Sequence, residues 1–478
     1  MRLTFWGAAR QVTGSMYLLE LEDDYKILID CGLDTHRKPN DTTEQETQKL
    51  GSMFPFEASQ IRAVLLTHAH IDHSGYLPNL VREGFEGTIY CTQPTYDLAA
   101  ILLADAAVLN QKKIKRQEEN QKNKKKSRQE VKNTIKEMYL QPHVERTLPY
   151  FKTIPFKQKI KINAQLQCTF IPTGHLLGAA NIVLEVIEKG EKKTICFSGD
   201  VGRKNYPLLP DPETVPEVDY LICETTYGNR LHKDKDQPEE IIRRAIHQSC
   251  VENTGRLLIP AFSVGRTQAI LYVLHKLSVN EQLPAVKIFA DSPLAVRSTQ
   301  IYEKYRHLMN EEAQVFAESN KYLFDFDNLV FIESAKESKT ISTYPRPCVI
   351  ISSSGMLQGG RIEHHVKANL QNPKATILMI GYAAEGTLGY ELLQGSKTYF
   401  DGKKELPILA QIQSIDAFSG HGDREDLTNF VKYQKKEKLK NIFLVHGEYT
   451  SMIDFKQTLA QEGYQHVEIP YKGQSFEL

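Results

Sequence analysis

Four side chains able to bind a metal ion fall within six residues, in the run Thr67-His68-Ala69-His70-Ile71-Asp72-His73-Ser74-Gly75. Imidazole and carboxylate groups suit Zn²⁺ in catalytic sites, and the ion takes about four donors. From a tight loop, His68 and His70 can aim at one ion while Asp72 and His73 face a second. One cluster cannot fill two sites, so further donors are expected elsewhere. His175 in Pro172-Thr173-Gly174-His175, Asp200 in Ser198-Gly199-Asp200 and His446 in His446-Gly447-Glu448 are the candidates. The seven cysteines are scattered and include no CxxC pair, which argues against a thiolate-bound zinc.

Each candidate follows an apolar run that must position it. Residues 62–67 read as a buried strand leading straight into the cluster. Residues 166–172, 193–198 and 441–445 stand in the same relation to His175, Asp200 and His446. Further strand candidates lie at 1–6, 15–21, 25–30, 87–92, 181–186 and 218–223, with a helix starting over 74–82. From residue 239 the rhythm changes. Helices over 239–248, 266–277 and 296–307 alternate with strands over 256–260, 286–290, 349–352 and 375–380, a pattern that predicts a parallel α/β sheet. The last stretch goes back to the pattern of the first part, with a strand at 410–415, helices near 424–433 and 450–462, a strand at 441–445 and a final strand. A metal-bearing domain is therefore expected from residues 1–225 and 403–478, with an α/β unit inserted over 226–402.

A chain of 478 residues that is 41% apolar and 25% charged can bury more than one core. Its net charge of zero excludes a basic footprint spread over the whole molecule, so any polyanion must meet local patches. Residues 112–132 form one such patch, with ten Lys or Arg against three Glu. It reads as a solvated helix or loop, as a surface for phosphates, or as both together. The start of the chain lacks the features of a signal peptide, and no run of about 18 apolar residues occurs. With an odd, dispersed set of cysteines, this predicts a cytoplasmic protein with no membrane partner.

The HxHxDH cluster, the later TGH and SGD, the closing HGE and the block Leu28-Ile29-Asp30-Cys31-Gly32 together resemble the metallo-β-lactamase superfamily. The resemblance implies an α/β fold, an αββα sandwich, holding two Zn²⁺ per chain. His68, His70 and His175 would hold the first ion, Asp72, His73 and His446 the second, and Asp200 would bridge them. Asp30 would orient the histidine cluster from behind. The inserted unit, with a parallel sheet, is similar to that of the β-CASP nucleases, a group that includes RNase J and the endonuclease of pre-mRNA 3′-end cleavage. That likeness rests on Glu224-Thr225-Thr226-Tyr227-Gly228-Asn229-Arg230, Pro260-Ala261-Phe262-Ser263-Val264-Gly265-Arg266, Asp291-Ser292-Pro293-Leu294-Ala295, Ser352-Ser353-Ser354-Gly355-Met356 and Gly381-Tyr382-Ala383-Ala384-Glu385-Gly386-Thr387. It covers nearly the whole chain apart from the lysine-rich stretch. Glu224, His421 and His446 match three motifs of the group. Gly420 departs from the alanine that often precedes the histidine at His421. A histidine at the third motif is typical of the RNA processors. The resemblance thus implies a ribonuclease of RNA processing or decay, with its active site between the two domains, a homodimer, and RNA-processing proteins as further partners.

Such a site implies a chemistry. Two zinc ions about 3.5–4 Å apart can acidify a water and clamp a phosphate oxygen. Asp72 would orient the nucleophile or take its proton. His421, its tautomer fixed by Glu224, would protonate the leaving ribose oxygen. The expected catalytic set is Asp72, Glu224, His421 and Asp30. RNA phosphates are expected at Ser353, Ser354 and Gly355, where a strand end offers hydroxyl and N–H groups. They are also expected at Arg266 on a helix start, and at Arg361, His364 and His365. The alternatives are a thioester or lactone hydrolase on the same metal core, and a non-catalytic subunit of an RNA-processing complex. These motifs do not separate endonuclease from 5′-exonuclease action.

Overall fold

The two chain ends meet in one sheet: Arg2–Phe5 pairs antiparallel with Gln474–Glu477 on one side and with Tyr17–Glu20 on the other. The computed structural model describes residues 1–22, 24–34, 52–122, 138–234, 236–357, 359–381, 383 and 386–478. Among these the chain forms two compact units, one of residues 1–204, 212–231 and 421–478, the other of 205–211 and 232–420.

The first unit is a sandwich. One seven-stranded sheet runs Gln474–Glu477, Arg2–Phe5, Tyr17–Glu20, Lys26–Ile29, Ile61–Leu65, Thr88–Thr92, Phe151–Ile154. The other runs Val467–Glu468, Asn441–Val445, Tyr220–Glu224, Glu191–Phe197, Ala180–Glu188, Leu166–Pro172, Ile160–Lys161. Alternating strands send one set of side chains inward, and Phe5, Ile29, Leu65, Phe170, Ile182, Phe197, Ile222 and Phe443 from both sheets share one core. Each such side chain contributes about 1.5–3 kcal/mol by leaving water. The opposite face of the second sheet is covered by the helices Arg424–Lys432 and Tyr449–Gln461, through Leu427, Phe430, Met452 and Phe455. Helices Leu77–Arg82, Gln93–Lys122 and Gln141–Thr147 lie with the first sheet. The result is the expected αββα order. All seven cysteines are buried and free.

The second unit has a six-stranded sheet in the order Leu329–Phe331, Lys287–Asp291, Cys348–Ser352, Arg256–Pro260, Ala375–Met379, Gln411–Ser414, parallel throughout. Its central strands read RLLIP, CVIIS and ATILM because both faces are covered, which favours continuous apolar runs. One expectation needs correction. The strand expected at 410–415 does not return to the first unit; Gln411–Ser414 pairs with Ala375–Met379 and closes the parallel sheet. The second unit therefore extends to Gly420 and not to residue 402, and it also takes in residues 205–211. Local residue pattern could not place this strand, because its pairing partner is set by the sheet. Of the basic stretch at 112–132, residues 123–132 lie outside the described residues; 112–122 finish the long helix. Among the described residues no helix is long and apolar enough to cross a membrane.

Candidate metal centre

In the second sheet Leu166–Pro172, Glu191–Phe197, Tyr220–Glu224 and Asn441–Val445 all point the same way. Their carboxyl ends therefore deliver His175, Asp200, Glu224 and His446 to one edge. In the first sheet Lys26–Ile29 and Ile61–Leu65 run parallel and end in Asp30 and the histidine cluster. Backbone pairing locks these two loops together: Cys31 N–H donates to His73 O (2.8 Å) and Leu33 N–H to Ile71 O (2.9 Å), while Ser15 N–H, from the segment before Tyr17–Glu20, donates to Asp72 O (2.8 Å). The approach is so close that a Cβ on Gly32 would fall 1.7 Å from Asp72 O. Asp30 (φ 60°) and His446 (φ 49°) take the left-handed conformation, uncommon without glycine, where the chain turns off its strand.

Two donor sets converge. Nε2 of His68 lies 3.1 Å from Nδ1 of His70, which lies 3.2 Å from Nε2 of His175; Asp200 Oδ2 is 3.4 Å from both His68 and His175. In the second set His446 Nε2 stands 3.4 Å from Asp72 Oδ2, and His73 Nε2 reaches Asp200 Oδ1 at 3.3 Å. The donor atoms within each set lie within 4.8 Å of one another. Asp200 thus faces both. Its Oδ1 is buried and accepts no hydrogen bond among the described residues. A buried, unsatisfied carboxylate oxygen among imidazole nitrogens is costly unless a cation completes it. The donor set fits a bound metal cation.

Behind the donors, Asp30 accepts from Thr67 N–H (2.8 Å) and Thr67 Oγ1 (2.8 Å), and its Oδ2 is 2.7 Å from His73 Nδ1. This leaves His73 Nε2 for the centre. Sequence reasoning missed Thr67, whose hydroxyl also meets His68 Nδ1 at 3.1 Å. Thr226 Oγ1 does the same for His446 Nδ1 (3.0 Å). Glu224 is fully buried; its Oε1 accepts Val201 N–H (2.7 Å) and its Oε2 accepts Thr226 N–H (3.1 Å). His421 Nδ1 sits 3.0 Å from Glu224 Oε1, and its Nε2 is 3.9 Å from Asp200 Oδ2. The side chains of Asp72 (26% exposed) and His421 (14%) are more open than those of His68, His73 and Asp200.

Burial pulls the His68 imidazole well below its usual range, and it pulls His70 down to about 4 against Asp72 and Asp200. Both are thus neutral near pH 7, the form that binds metal. Burial also works against a charge on His73 and His446, but Asp200 outweighs it, joined by Asp30 at His73 and Asp72 at His446, so both are raised. Burial pushes the Asp72 carboxyl up, yet the hydrogen bond from His446 and the neighbouring imidazoles leave it below its ordinary value.

Residues 18–197 match a metallo-beta-lactamase superfamily domain, 267–392 a Beta-Casp domain, and 405–470 a Zn-dependent metallo-hydrolase RNA specificity domain. Over 465 residues, 97% of each chain, the sequence is 32% identical to Ribonuclease TTHA0252 of Thermus thermophilus. The chain belongs to the β-CASP branch of the metallo-β-lactamase superfamily. This β-CASP protein is also 30% identical to the transcription termination factor FttA of Methanocaldococcus jannaschii, over 96% of its own length and 69% of that protein. An RNase J-like protein of the same organism is 29% identical, with 96% and 95% covered. A crystal structure of a protein of unknown function from Enterococcus faecalis V583 shares the fold, with a TM-score of 0.54, 13% identity, and 100% and 99% of the two chains covered.

The residues expected to bind phosphate lie in the β-CASP unit. Arg266 opens the helix Arg266–Val279 and is nearly buried, its guanidinium 4.8 Å from the Phe262 ring centroid. Ser353, Ser354 and Gly355 follow the strand Cys348–Ser352, with Ser353 Oγ 3.4 Å from Ser292 Oγ. Arg361 and His365 are committed to a residue that had no assigned role: Asp291. Arg361 Nη1 meets Asp291 Oδ1 at 2.6 Å and His365 Nε2 meets Oδ2 at 2.6 Å. His365 is fully buried, so the expected phosphate contact is corrected: it supports a strand-end carboxylate instead. His364 is 3.1 Å from Ser342 Oγ. The signal that could have found Asp291 is a carboxylate at the end of an apolar strand, the same signal that singled out Asp200.

Proposed function

We propose that this protein is a zinc-dependent ribonuclease that hydrolyses RNA phosphodiester bonds in RNA processing or decay. The observation that carries the reading is the pair of convergent donor sets sharing the unsatisfied carboxylate of Asp200. Its relationship to proteins named ribonuclease and RNase J-like supports RNA as the substrate.

His68, His70 and His175 would hold one zinc, Asp72, His73 and His446 the other, and Asp200 both. When bound, the pair lowers the pKa of water and neutralises charge on the phosphate. The chain's own residues then divide the proton work. Asp72, the more open carboxylate, orients the attacking water and accepts its proton. His421 keeps one proton on Nδ1 toward Glu224, so its imidazolium form carries a second on Nε2 for the leaving ribose oxygen. Glu224, pinned by two backbone N–H groups, fixes the plane and tautomer of that ring.

The test is cleavage of RNA labelled at either end and of circular RNA, with metal analysis of the same preparation. Circular RNA cut to a linear product would establish endonuclease action. Undiminished cleavage after chelation would overturn the metal assignment. Turnover of thioesters or lactones but not RNA would overturn the substrate.

A further inference from the structure

Three side chains from distant parts of the first unit share one exposed spot. The Arg10 guanidinium carbon lies 4.8 Å from the Tyr449 ring centroid and 5.7 Å from that of Tyr471. Both tyrosines are exposed, at 44% and 53%. Arg10 Nη2 donates to Ile469 O at 3.2 Å, and among the described residues no carboxylate pairs with it. Tyr471 is held by its turn: its N–H donates to Gln474 Oε1 (3.0 Å), and Gln474 N–H donates to Tyr471 O (3.0 Å).

The spot is tied to a proposed metal ligand. His446 N–H donates to Ala8 O (2.7 Å) and Gly447 N–H to Gln11 O (3.2 Å), so the loop bearing Arg10 rests on the loop bearing His446. Tyr449 begins its helix three residues after His446. Chain reach keeps their Cα atoms within about 11 Å. Tyr449 also falls in the stretch 405–470 that matches the RNA specificity domain.

An exposed guanidinium over two exposed tyrosines suits a particular ligand. Unpaired bases stack on aromatic rings and on arginine planes, whereas a duplex hides its base faces. The cation also favours a polyanionic strand. We propose that Arg10, Tyr449 and Tyr471 form a stacking platform for unpaired bases of an RNA strand, a few nucleotides from the phosphate at the metal centre. This rests on the ribonuclease reading above.

The test uses the full protein and a hydrolysis-resistant 2′-O-methyl phosphorothioate oligonucleotide, intact or with abasic positions, with affinity read by fluorescence anisotropy. Tyr449→Ala and Tyr471→Ala should each weaken binding of the intact strand about tenfold and leave the abasic strand unchanged. Tyr449→Trp should restore affinity and Tyr449→Leu should not, which separates stacking from packing. Arg10→Ala should weaken the intact strand more than the abasic one. Unchanged affinity for the intact strand, or equal losses on both strands, would overturn the platform and leave a surface cation–π cluster. A wild-type protein that shows the base-dependent binding yet cleaves no RNA would overturn the ribonuclease reading and leave the platform standing.

Discussion

His421 is where the chemistry is most exposed to test. If it donates the leaving-group proton, His421→Ala should keep its metal, because the ring lies outside both proposed ligand sets, and should lose about 10²–10⁴ in the chemical step. A substrate with sulfur at the bridging leaving position needs little protonation, so the variant should recover most of its rate there. Glu224→Gln should resemble a weaker His421→Ala. Equal impairment on oxygen and sulfur would leave only a positioning role. His70 permits a second prediction, on the metal-free protein. Its folded pKa, about 4, lies below the unfolded value of 6.5. As pH falls between those values, the unfolded chain takes up a proton that the folded site refuses. Stability present above pH 6.5 is therefore lost across that window, on the order of 2–3 kcal/mol from this residue. His68 acts in the same direction. His73 and His446 are raised, so their contribution stays intact in this window and is lost only as pH rises through their folded values. Denaturant unfolding of chelated protein at pH 7 and pH 4.5 measures the difference; equal stability at both would contradict it.

The elements that hold the site are loops clamped backbone to backbone, and there a single methyl group matters. A Cβ on Gly32 would meet Asp72 O at 1.7 Å and Asp72 C at 2.3 Å, both main-chain atoms that cannot rotate away. Gly32→Ala should therefore displace the segment carrying Asp72 and His73. The expected outcome is loss of metal from the purified protein together with about 3 kcal/mol of stability, the upper end for overpacking. Metal analysis and denaturant titration would check both. Full metal content in the variant would mean that the loops can separate without moving the donors. Gly447 makes a similar approach, 2.4 Å from Thr225 Oγ1 for an added Cβ.

Charge decides matters across the whole molecule. With a net charge of zero, RNA affinity must come from local cations, and residues 112–132 carry ten of them. Deleting that stretch should weaken RNA binding and flatten its dependence on salt, because released counterions scale with phosphate contacts. Turnover at saturating RNA should barely change. Binding measured between about 50 and 200 mM salt reads this directly, and an unaltered slope would mean that the stretch takes no part in holding RNA.

The side chains that converge could be named before any fold was known. His68, His70, Asp72 and His73 are adjacent, and His175, Asp200 and His446 each follow an apolar strand, so residue type and strand ends were enough. The alternation that makes a parallel sheet in the middle of the chain was legible in the same way. Three other features depended on how the chain packs in space. One is the strand that Gln411–Ser414 joins, because pairing depends on the neighbour and not on local pattern. Another is the turn of His365 and Arg361 toward Asp291, because a buried carboxylate must be satisfied by whatever cations and donors fold against it. The third is the meeting of Arg10, Tyr449 and Tyr471, since contacts between residues so far apart in the chain leave no spacing for a sequence to show.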